Sequence, residues 1–307
     1  MTTVIKAAST VAAPADEAAA AVLLAGQASR ECLAEARLSP DAVGVLINVG
    51  VYREHNTFEP AIGALVQKEA GINLDYLAHP VPGAAFSLDL MNGACGVLNA
   101  VQVAQAMLAT GSAERVLITA ADVHPGGRAA LDPDYPYADL GAAMLLERSA
   151  ATTSEGGFGP VRTAGSGEDS AIAGYLPTAG MGADGRGRIT VRRDEGFAEQ
   201  LLALAATTAA EYALAEELDL HRTLLVSSRP TADFAQRLAG RLGLPEAAVL
   251  APDAPGTGGG LPHTAALILG YLRALEVGLP EGVDQLLFVA VGAGPSAACV
   301  SYRPQAR

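Results

Sequence analysis

Residues 89–111 read Asp-Leu-Met-Asn-Gly-Ala-Cys-Gly-Val-Leu-Asn-Ala-Val-Gln-Val-Ala-Gln-Ala-Met-Leu-Ala-Thr-Gly, and Cys95 stands where an apolar helix begins. The stretch 97–109 carries no charge, so we expect the helix to be buried on almost every side. A helix N-terminus has free N–H groups and a positive dipole end, which favour a thiolate over a thiol. The pattern therefore predicts a nucleophilic cysteine, and the alternative is a small buried apolar residue.

Composition limits the partners of the chain. Half of its 307 residues are apolar, 17% are charged, and the net charge is −13. This acidity argues against nucleic acid or an anionic membrane as the main partner, and no uninterrupted apolar run reaches membrane-spanning length. It also disfavours an acidic carrier protein unless a local basic patch exists. Arg186, Arg188, Arg192 and Arg193 are the candidate patch, and a solvated charged turn is the alternative.

The cysteines and histidines do not form a metal site by their spacing. Cys32, Cys95 and Cys299 are far apart and odd in number, which excludes a disulfide framework and a cysteine metal cluster. The five histidines have no paired spacing that suits zinc. We therefore predict neither a metal nor a cofactor. Reduced cysteines and an N-terminus without a signal-peptide pattern predict a cytoplasmic protein.

Strand and helix patterns alternate through two halves, residues 1–150 and 151–307, which predicts an α/β fold with mixed sheets. Strands are expected at 4–9, 43–49, 87–90, 115–121, 141–147, 223–227, 248–250, 285–291 and 297–302, the last two as an antiparallel pair. Helices are expected at 16–37, 62–70, from Cys95 onward, and at 197–218, 231–242 and 263–277. Residues 151–195 are rich in Gly, Ser, Asp and Arg, and we interpret them as a long excursion rather than a linker.

Four segments in order resemble the thiolase-fold condensing enzymes, and most closely ketoacyl-acyl-carrier-protein synthase III. Residues 89–96 resemble the nucleophile segment of that family, and 111–123 the passage that follows it. Residues 139–147 resemble the Gly-Asp-Gly-Ala-Gly-Ala strand, and 291–302 the Gly-rich hairpin that closes the fold. The resemblance covers roughly the whole chain. It implies a five-layer αβαβα arrangement of two duplicated halves, with the nucleophilic cysteine in the first half.

The chain departs from the family pattern at the residues that assist the catalytic cysteine. Leu-Val-Ser-Ser-Arg-Pro-Thr at 225–231 places Ser228 where the family has a histidine. The run Gly-Thr-Gly-Gly-Gly-Leu-Pro-His that ends at His263 lacks the family's catalytic asparagine. This run is also similar to the Gly-His motif with which thiolases place a histidine at the same site. The early insertion that stacks coenzyme A adenine is absent, so coenzyme A recognition in the usual manner is in doubt.

Roles for individual residues follow from the resemblance. Cys95 accepts the acyl group, His263 activates the acceptor, and Ser228 either hydrogen-bonds a thioester carbonyl or orients water. The resemblance implies an oxyanion hole made of the Cys95 N–H and the Gly294 N–H, although Gly292 could serve instead. Related enzymes stabilise the enolate of decarboxylation with a histidine pair or a His/Asn pair. With one histidine left, decarboxylative condensation is in doubt.

Three functions stay open at this point. The first is an acyltransferase of the synthase III type in polyketide or fatty-acyl biosynthesis. It would take an acyl group from an acyl carrier protein or acyl-CoA thioester and pass it to a carbon, oxygen or nitrogen nucleophile. The second is a non-catalytic or half-catalytic subunit that partners an intact homologue. The third is simple small-molecule binding. The family relationship implies a homodimer, or a heterodimer with a homologue.

Overall fold

Two mixed sheets carry the architecture. The chain is described by a computed structural model over residues 2–13, 18–54, 61–73, 77, 84–125, 135–149, 156–167, 172–175, 190–254, 260–292 and 294–305. The strands of the first sheet are β1 (Thr2–Ala12), β2 (Val45–Asn48), β3 (Phe86–Asp89), β4 (Arg115–Asp122) and β5 (Leu140–Ser149). Their order is β1-β5-β4-β2-β3. β2 is parallel to β3 and β4, whereas β5 is antiparallel to β4 and β1.

The second half repeats this topology. Its strands are β6 (Gly157–Phe158), β7 (Arg162–Gly165), β8 (Ile172–Tyr175), β9 (Thr190–Arg193), β10 (Thr223–Ser227), β11 (Val249–Leu250), β12 (Gln285–Gly292) and β13 (Ser296–Arg303). The order of the second sheet is β11-β10-β12-β13-β6, with β7 paired to the other end of β13. β10 is parallel to β11 and β12, and β13 is antiparallel to β12 and β6. The predicted duplication is confirmed, and the division at residue 150 stays a proposal.

Six helices in the described part of the chain form three layers around the sheets. They are α1 (Ala21–Ala36), α2 (Ile62–Glu69), α3 (Gly96–Thr110), α4 (Phe197–Ala215), α5 (Phe234–Leu242) and α6 (Ala266–Val277). α3 and α6 pack between the two sheets in the largest core cluster. α1 and α2 cover the outer face of the first sheet, and α4 and α5 cover that of the second. The five-layer αβαβα arrangement is therefore confirmed.

Most predicted elements lie within a few residues of the observed ones, and the exceptions have local causes. α6 begins at Ala266 rather than at residue 263, because His263 and Thr264 hydrogen-bond to a buried carboxylate instead of entering the helix. The excursion 151–195 contains strands for which no prediction is made, and of these β6 and β7 pair with β13 and extend the second sheet. The first helix begins at Ala21, and residues 14–17 of its predicted start lie outside the described residues.

One helical stretch, Gly93–Thr110, is long and apolar enough to cross a membrane by length and composition alone. Half of this window is buried inside the protein. Its helix α3 packs between the sheets through residues such as Val97, Leu98 and Val101. A core helix passes the same test, and the packing of α3 accounts for its apolar character.

Candidate active site

Cys95 lies at the junction of a short 3-10 turn, Gly93–Cys95, and helix α3. Its side chain is buried, with the residue only 1% exposed. The Sγ atom lies 3.6 Å from the carbonyl oxygens of Ala290 and Ser296, at the facing ends of β12 and β13. The Ser296 hydroxyl also donates a long hydrogen bond to Sγ, at 3.8 Å. The hairpin of the second half therefore covers the thiol that the first half supplies.

The electrostatic setting of Cys95 differs from the expectation that its helix position favours a thiolate. Burial raises the pKa of the Cys95 thiol to about 11, and the hydrogen bond from Ser296 lowers it only in part. Desolvation penalises the charged form more than these local contacts stabilise it. The thiol is therefore protonated near neutral pH, and it needs a base before it can attack a carbonyl carbon.

His263 is the residue that the sequence predicts as the base for this thiol. Its ring stacks on Tyr137, with centroids 4.3 Å apart and planes at 24°, and it contacts Tyr52 at 5.3 Å. The backbone fixes this stack, because the Ala138 N–H donates to the Leu261 carbonyl at 2.9 Å. The side chain of His263 is 12% exposed. The imidazole is therefore held by packing on two aromatic rings and keeps one edge open to solvent.

Asp122 orients that imidazole. This buried residue ends β4, and its Oδ2 lies 3.1 Å from Nδ1 of His263. Oδ2 also accepts hydrogen bonds from the Thr264 N–H at 3.0 Å and from the Thr264 hydroxyl at 2.5 Å. Oδ1 accepts from the N–H groups of Val51 and Tyr52 at 3.0 and 2.9 Å. Five donors thus hold the carboxylate in one position.

The pKa of Asp122 reflects these contacts. Burial alone would raise the pKa, but the charge of His263 and the hydrogen bonds from His263, Thr264 and Tyr52 outweigh it and lower the pKa to about 2. Asp122 is therefore an anion at neutral pH, although it is fully buried. Sequence reasoning did not identify its role. The sequence feature that could have identified it is a carboxylate at the end of a buried strand, β4, which lies beside the parallel strand β2.

Gly93 lies beside the imidazole of His263, and Gly292 lies beside the thiol of Cys95. A Cβ added to Gly93 would lie 3.7 Å from Nε2 of His263. A Cβ added to Gly292 would lie 3.6 Å from Sγ of Cys95 and 3.0 Å from Oγ of Ser296. Since Gly93 and Cys95 share one 3-10 turn, Nε2 faces the turn that carries the thiol. The structure therefore places Nε2 of His263 against the turn that ends at Cys95, and the pairing of the two residues in catalysis stays a prediction.

A cavity of about 240 Å³ opens at this point, and both halves of the chain contribute to its wall. Its lining includes Gly93 and Tyr137 from the first half, and Arg229, His263 and Gly292 from the second. Glycine, proline and aromatic surfaces make up much of the wall, so the cavity suits a small, partly apolar group.

Ser228 lies behind this wall. The residue is fully buried, and its hydroxyl accepts a hydrogen bond from the Val291 N–H at 3.0 Å. Its own N–H donates to the Val289 carbonyl at 2.9 Å, so Ser228 ties the end of β10 to β12. The residues that line the cavity include its neighbour Arg229 but not Ser228. The catalytic role that the resemblance implied for Ser228 stays a prediction, and the geometry gives the hydroxyl a structural bond.

The two predicted oxyanion donors lie in different settings. The Cys95 N–H donates to the Asn92 carbonyl at 3.1 Å within the 3-10 turn. Gly294 is exposed and lines the cavity, and none of the described residues lies within 4 Å of where its Cβ would be. Gly292, the alternative donor, also lines the cavity. The assignment of the oxyanion hole therefore stays a prediction. The Cys95 N–H can bind an oxyanion only if its hydrogen bond to the Asn92 carbonyl breaks.

The remaining cysteines are buried, and part of the candidate basic patch lies outside the described part of the chain. Cys32 and Cys299 are buried, and burial raises the pKa of each thiol to about 12. Arg186 and Arg188 of the candidate basic patch lie outside the described residues, as do residues 255–259 of the Gly-rich run. Arg193 is exposed and lies 5.7 Å from the centre of the Phe197 ring. Within the described residues, no group of three or more His, Cys, Asp or Glu could hold a metal ion.

Comparisons with known proteins establish the fold. No protein-family model matches the chain, and no curated protein matches its sequence. The chain is similar to solved structures along almost its whole length. OleA from Xanthomonas campestris, with bound lauric acid and lauroyl-CoA, is 16% identical at a TM-score of 0.79, and 99% of each chain is covered. The 3-oxoacyl-(acyl carrier protein) synthase III from Pseudomonas aeruginosa is 16% identical at a TM-score of 0.79, with 100% of this chain and 99% of that chain covered.

A third neighbour is the priming β-ketosynthase of a polyketide biosynthetic pathway. It is 18% identical at a TM-score of 0.78, with 99% of this chain and 97% of that chain covered. These likenesses give the chain the thiolase fold of the condensing enzymes, as its sequence motifs predicted. At such low identity they establish the fold alone.

Proposed function

We propose that this protein is an acyl-thioester transferase of the synthase III type, in which Cys95 carries the acyl group and His263 moves the protons. The observation that carries the proposal is the Asp122–His263 pair, because it directs Nε2 toward the turn that holds Cys95. A carboxylate that fixes a histidine tautomer beside a nucleophile is the arrangement that covalent acyl transfer requires.

The loading step follows from this arrangement. Nε2 of His263 accepts the proton of the Cys95 thiol, and Sγ attacks the carbonyl carbon of the donor thioester. The donor C–S bond breaks as the tetrahedral intermediate collapses. Its sulfur leaves with the proton that His263 returns, so a thiol is released and the acyl group stays on Cys95. Asp122 stabilises the imidazolium between these two transfers.

The release step reverses the roles. His263 removes a proton from the acceptor, which attacks the acyl-Cys95 carbonyl, and the thiol of Cys95 is regenerated. The acceptor is a carbon, oxygen or nitrogen nucleophile. His263 is the one histidine among the described residues that line the cavity. This supports transfer, or condensation with an already activated partner, over a decarboxylative condensation that uses a pair of histidines.

The donor and the setting are proposed from the fold. The neighbours include a 3-oxoacyl-(acyl carrier protein) synthase III and an OleA structure with bound lauroyl-CoA, so we propose an acyl carrier protein or acyl-CoA thioester as donor. We further propose a cytoplasmic protein that forms a homodimer, or a heterodimer with a homologue. Three buried free cysteines support a reducing compartment.

A second candidate function is that of a non-catalytic subunit that partners an intact homologue. The observation in its favour is the state of Cys95, which is 1% exposed and whose pKa is raised to about 11. Such a thiol is inert unless a base activates it. The two functions therefore differ in whether Cys95 becomes acylated.

Intact-protein mass spectrometry after incubation with a panel of acyl thioesters separates them. We expect a mass increase of one acyl group in the native protein and none in Cys95→Ala. Cys299→Ala is the matched control, since Cys299 is also a buried cysteine with a raised pKa, and it should load normally. His263→Gln should load more slowly. Absence of loading with every donor would favour the subunit.

A further inference from the structure

Arg229 is a buried cation on the wall of the cavity. It lies two residues beyond the end of β10, is 7% exposed, and lines the same cavity as His263. Its Nη1 pairs with Oδ1 of Asp253 at 2.6 Å, and its Nη2 donates to the Ala232 carbonyl at 3.2 Å. Its Nε is buried and has no hydrogen-bond partner among the described residues. Each Nη atom carries two N–H groups and has one protein partner in the described residues, so the guanidinium can donate further hydrogen bonds where it lines the cavity.

The one ion-pair partner of Arg229 in the described part of the chain is poorly placed to neutralise it. Asp253 is 88% exposed, so water screens its charge while the guanidinium stays inside. The described residues that line the cavity include no aspartate or glutamate. Asp122, the nearby buried carboxylate, already accepts five hydrogen bonds behind His263. The cavity wall therefore presents a positive charge whose one ion-pair partner in the described residues is a solvent-exposed carboxylate.

The backbone holds this charge near the reacting thiol. Ser228, the preceding residue, accepts a hydrogen bond from the Val291 N–H, which fixes the base of Arg229 beside the end of β12. Gly292 is the next residue of that strand, and a Cβ there would lie 3.6 Å from Sγ of Cys95. The hydrogen bond between Ser228 and Val291 thus connects the segment that carries Arg229 to the strand end beside the thiol.

We propose that Arg229 binds a carboxylate of the substrate inside this cavity. A planar guanidinium is the side chain best matched to a carboxylate, because its N–H donors meet the two oxygens in parallel. The inference rests on the proposed function for where the reacting carbonyl lies. The carboxylate belongs either to a short acyl group with a terminal acid, such as a malonyl group, or to an acceptor acid. A cavity of about 240 Å³ suits a group of this size.

Binding to Cys95→Ala protein tests the site without any chemistry. Malonamate and isovaleramide have the same number of heavy atoms and the same amide, and only malonamate carries a carboxylate. We expect calorimetry to detect malonamate and to give at least about 30-fold weaker binding of isovaleramide. Adding Arg229→Gln should remove the difference, and Arg229→Lys should keep part of it. Arg222→Gln is the matched control. Arg222 also pairs with an aspartate, Asp284, at an N–O distance of 2.5 Å, and it does not line the cavity.

A structural role for Arg229 gives a different pattern. If Arg229 only holds Asp253, then Asp253→Asn should lower the melting temperature as much as Arg229→Gln does, and neither should change malonamate binding. Our proposal instead expects Asp253→Asn to bind malonamate as well as the parent or more tightly, because a competing carboxylate is gone. Equal binding of malonamate and isovaleramide would overturn the proposal.

Loading of Cys95 distinguishes the two sources of the carboxylate. With malonyl and isovaleryl thioesters of N-acetylcysteamine, a donor carboxylate predicts faster malonyl loading in the native protein and no preference in Arg229→Gln. Malonamate binding that depends on Arg229, without a loading preference, assigns the carboxylate to the acceptor. If no thioester loads Cys95 while malonamate still binds through Arg229, the acyl-transfer function fails and the carboxylate site stands.

Discussion

Oδ2 of Asp122 lies 3.1 Å from Nδ1 of His263, although the two residues are 141 positions apart in the sequence. Asp122 ends a strand of the first sheet, and His263 precedes the helix α6 of the second half. The pair therefore forms only when the duplicated halves pack together. The thiol of Cys95 comes from the first half and is covered by the hairpin of the second. The site is built at the junction, and each half supplies a part of it.

Replacing Asp122 with asparagine should slow acyl transfer strongly and leave the fold around Cys95 largely intact. The amide cannot hold His263 as an anion does, so we expect a loss of about 10²–10⁴ in the transfer rate, the range of general-base catalysis. Single-turnover transfer measured by mass spectrometry checks this. Thr264→Val removes another hydrogen bond to Asp122 but leaves His263 paired, and it should cost much less. Equal losses in both variants would contradict the role of Asp122.

The free energy of unfolding should depend on pH through the ionisation of Asp122. Its pKa is lowered from 3.8 to about 2, so the folded state binds its proton less readily than the unfolded state. The contribution is therefore present above about pH 4 and is lost as pH falls through about 2. It amounts to about 2 kcal/mol. Urea unfolding of native and Asp122→Asn proteins should show a stability difference that shrinks over this range, and a constant difference would contradict the assignment.

Alkylation of Cys95 should report a protonated thiol. Because burial raises the pKa to about 11, the rate with iodoacetamide should rise by about tenfold per pH unit from pH 7 to pH 10, without a plateau. Peptide mass spectrometry separates the three cysteines. Cys32 and Cys299 have thiol pKa values of about 12 and serve as slower internal references. A plateau near pH 8 would instead indicate a thiolate held by the start of α3.

The position of Cys95 could be predicted because its cause is local. An uncharged apolar run after small residues specifies a buried helix, and the thiol at its start follows from chain order. The strand–helix alternation likewise predicts two layered halves. His263 could be found through the motif that it ends. The helix nevertheless begins after His263, because His263 and Thr264 hydrogen-bond to Asp122.

The rest of the site depends on contacts between distant segments. Asp122 could not be assigned, since its five donors come from residues 51–52 and 263–264. Ser228 was aligned with a catalytic position, but its hydroxyl bonds the adjacent strand, and Arg229 faces the cavity. β6 and β7 have the composition of loops and become strands because β13 offers them an edge. Side-chain direction and sheet edges are set by packing rather than by local propensity.

Tyr137 should matter through its ring rather than its hydroxyl. The ring stacks on His263 at a centroid distance of 4.3 Å, whereas burial raises the pKa of the phenol to about 12 and keeps it protonated. Tyr137→Phe preserves the stack and should leave transfer within about twofold of native. Tyr137→Ala frees the imidazole and should lower transfer by about 10–100-fold. Transfer rates of both variants, with melting temperatures as the control, check this. A large loss in Tyr137→Phe would assign a role to the hydroxyl.

Gly292→Ala and Gly294→Ala separate the space beside the thiol from the rest of the hairpin. A Cβ at Gly292 would lie 3.6 Å from Sγ of Cys95 and 3.0 Å from Oγ of Ser296, so the methyl group fills the approach of the donor carbonyl. We expect Cys95 loading to fall by about 100-fold, with a stability loss of about 1 kcal/mol. A Cβ at Gly294 meets nothing within 4 Å, and its N–H is kept, so this variant should load as the native protein does. Loading rates for the two variants are measured with one donor at equal concentration. If Gly292→Ala loads normally, the donor carbonyl approaches Cys95 from another side, and the cavity lined by Gly292 is not its route.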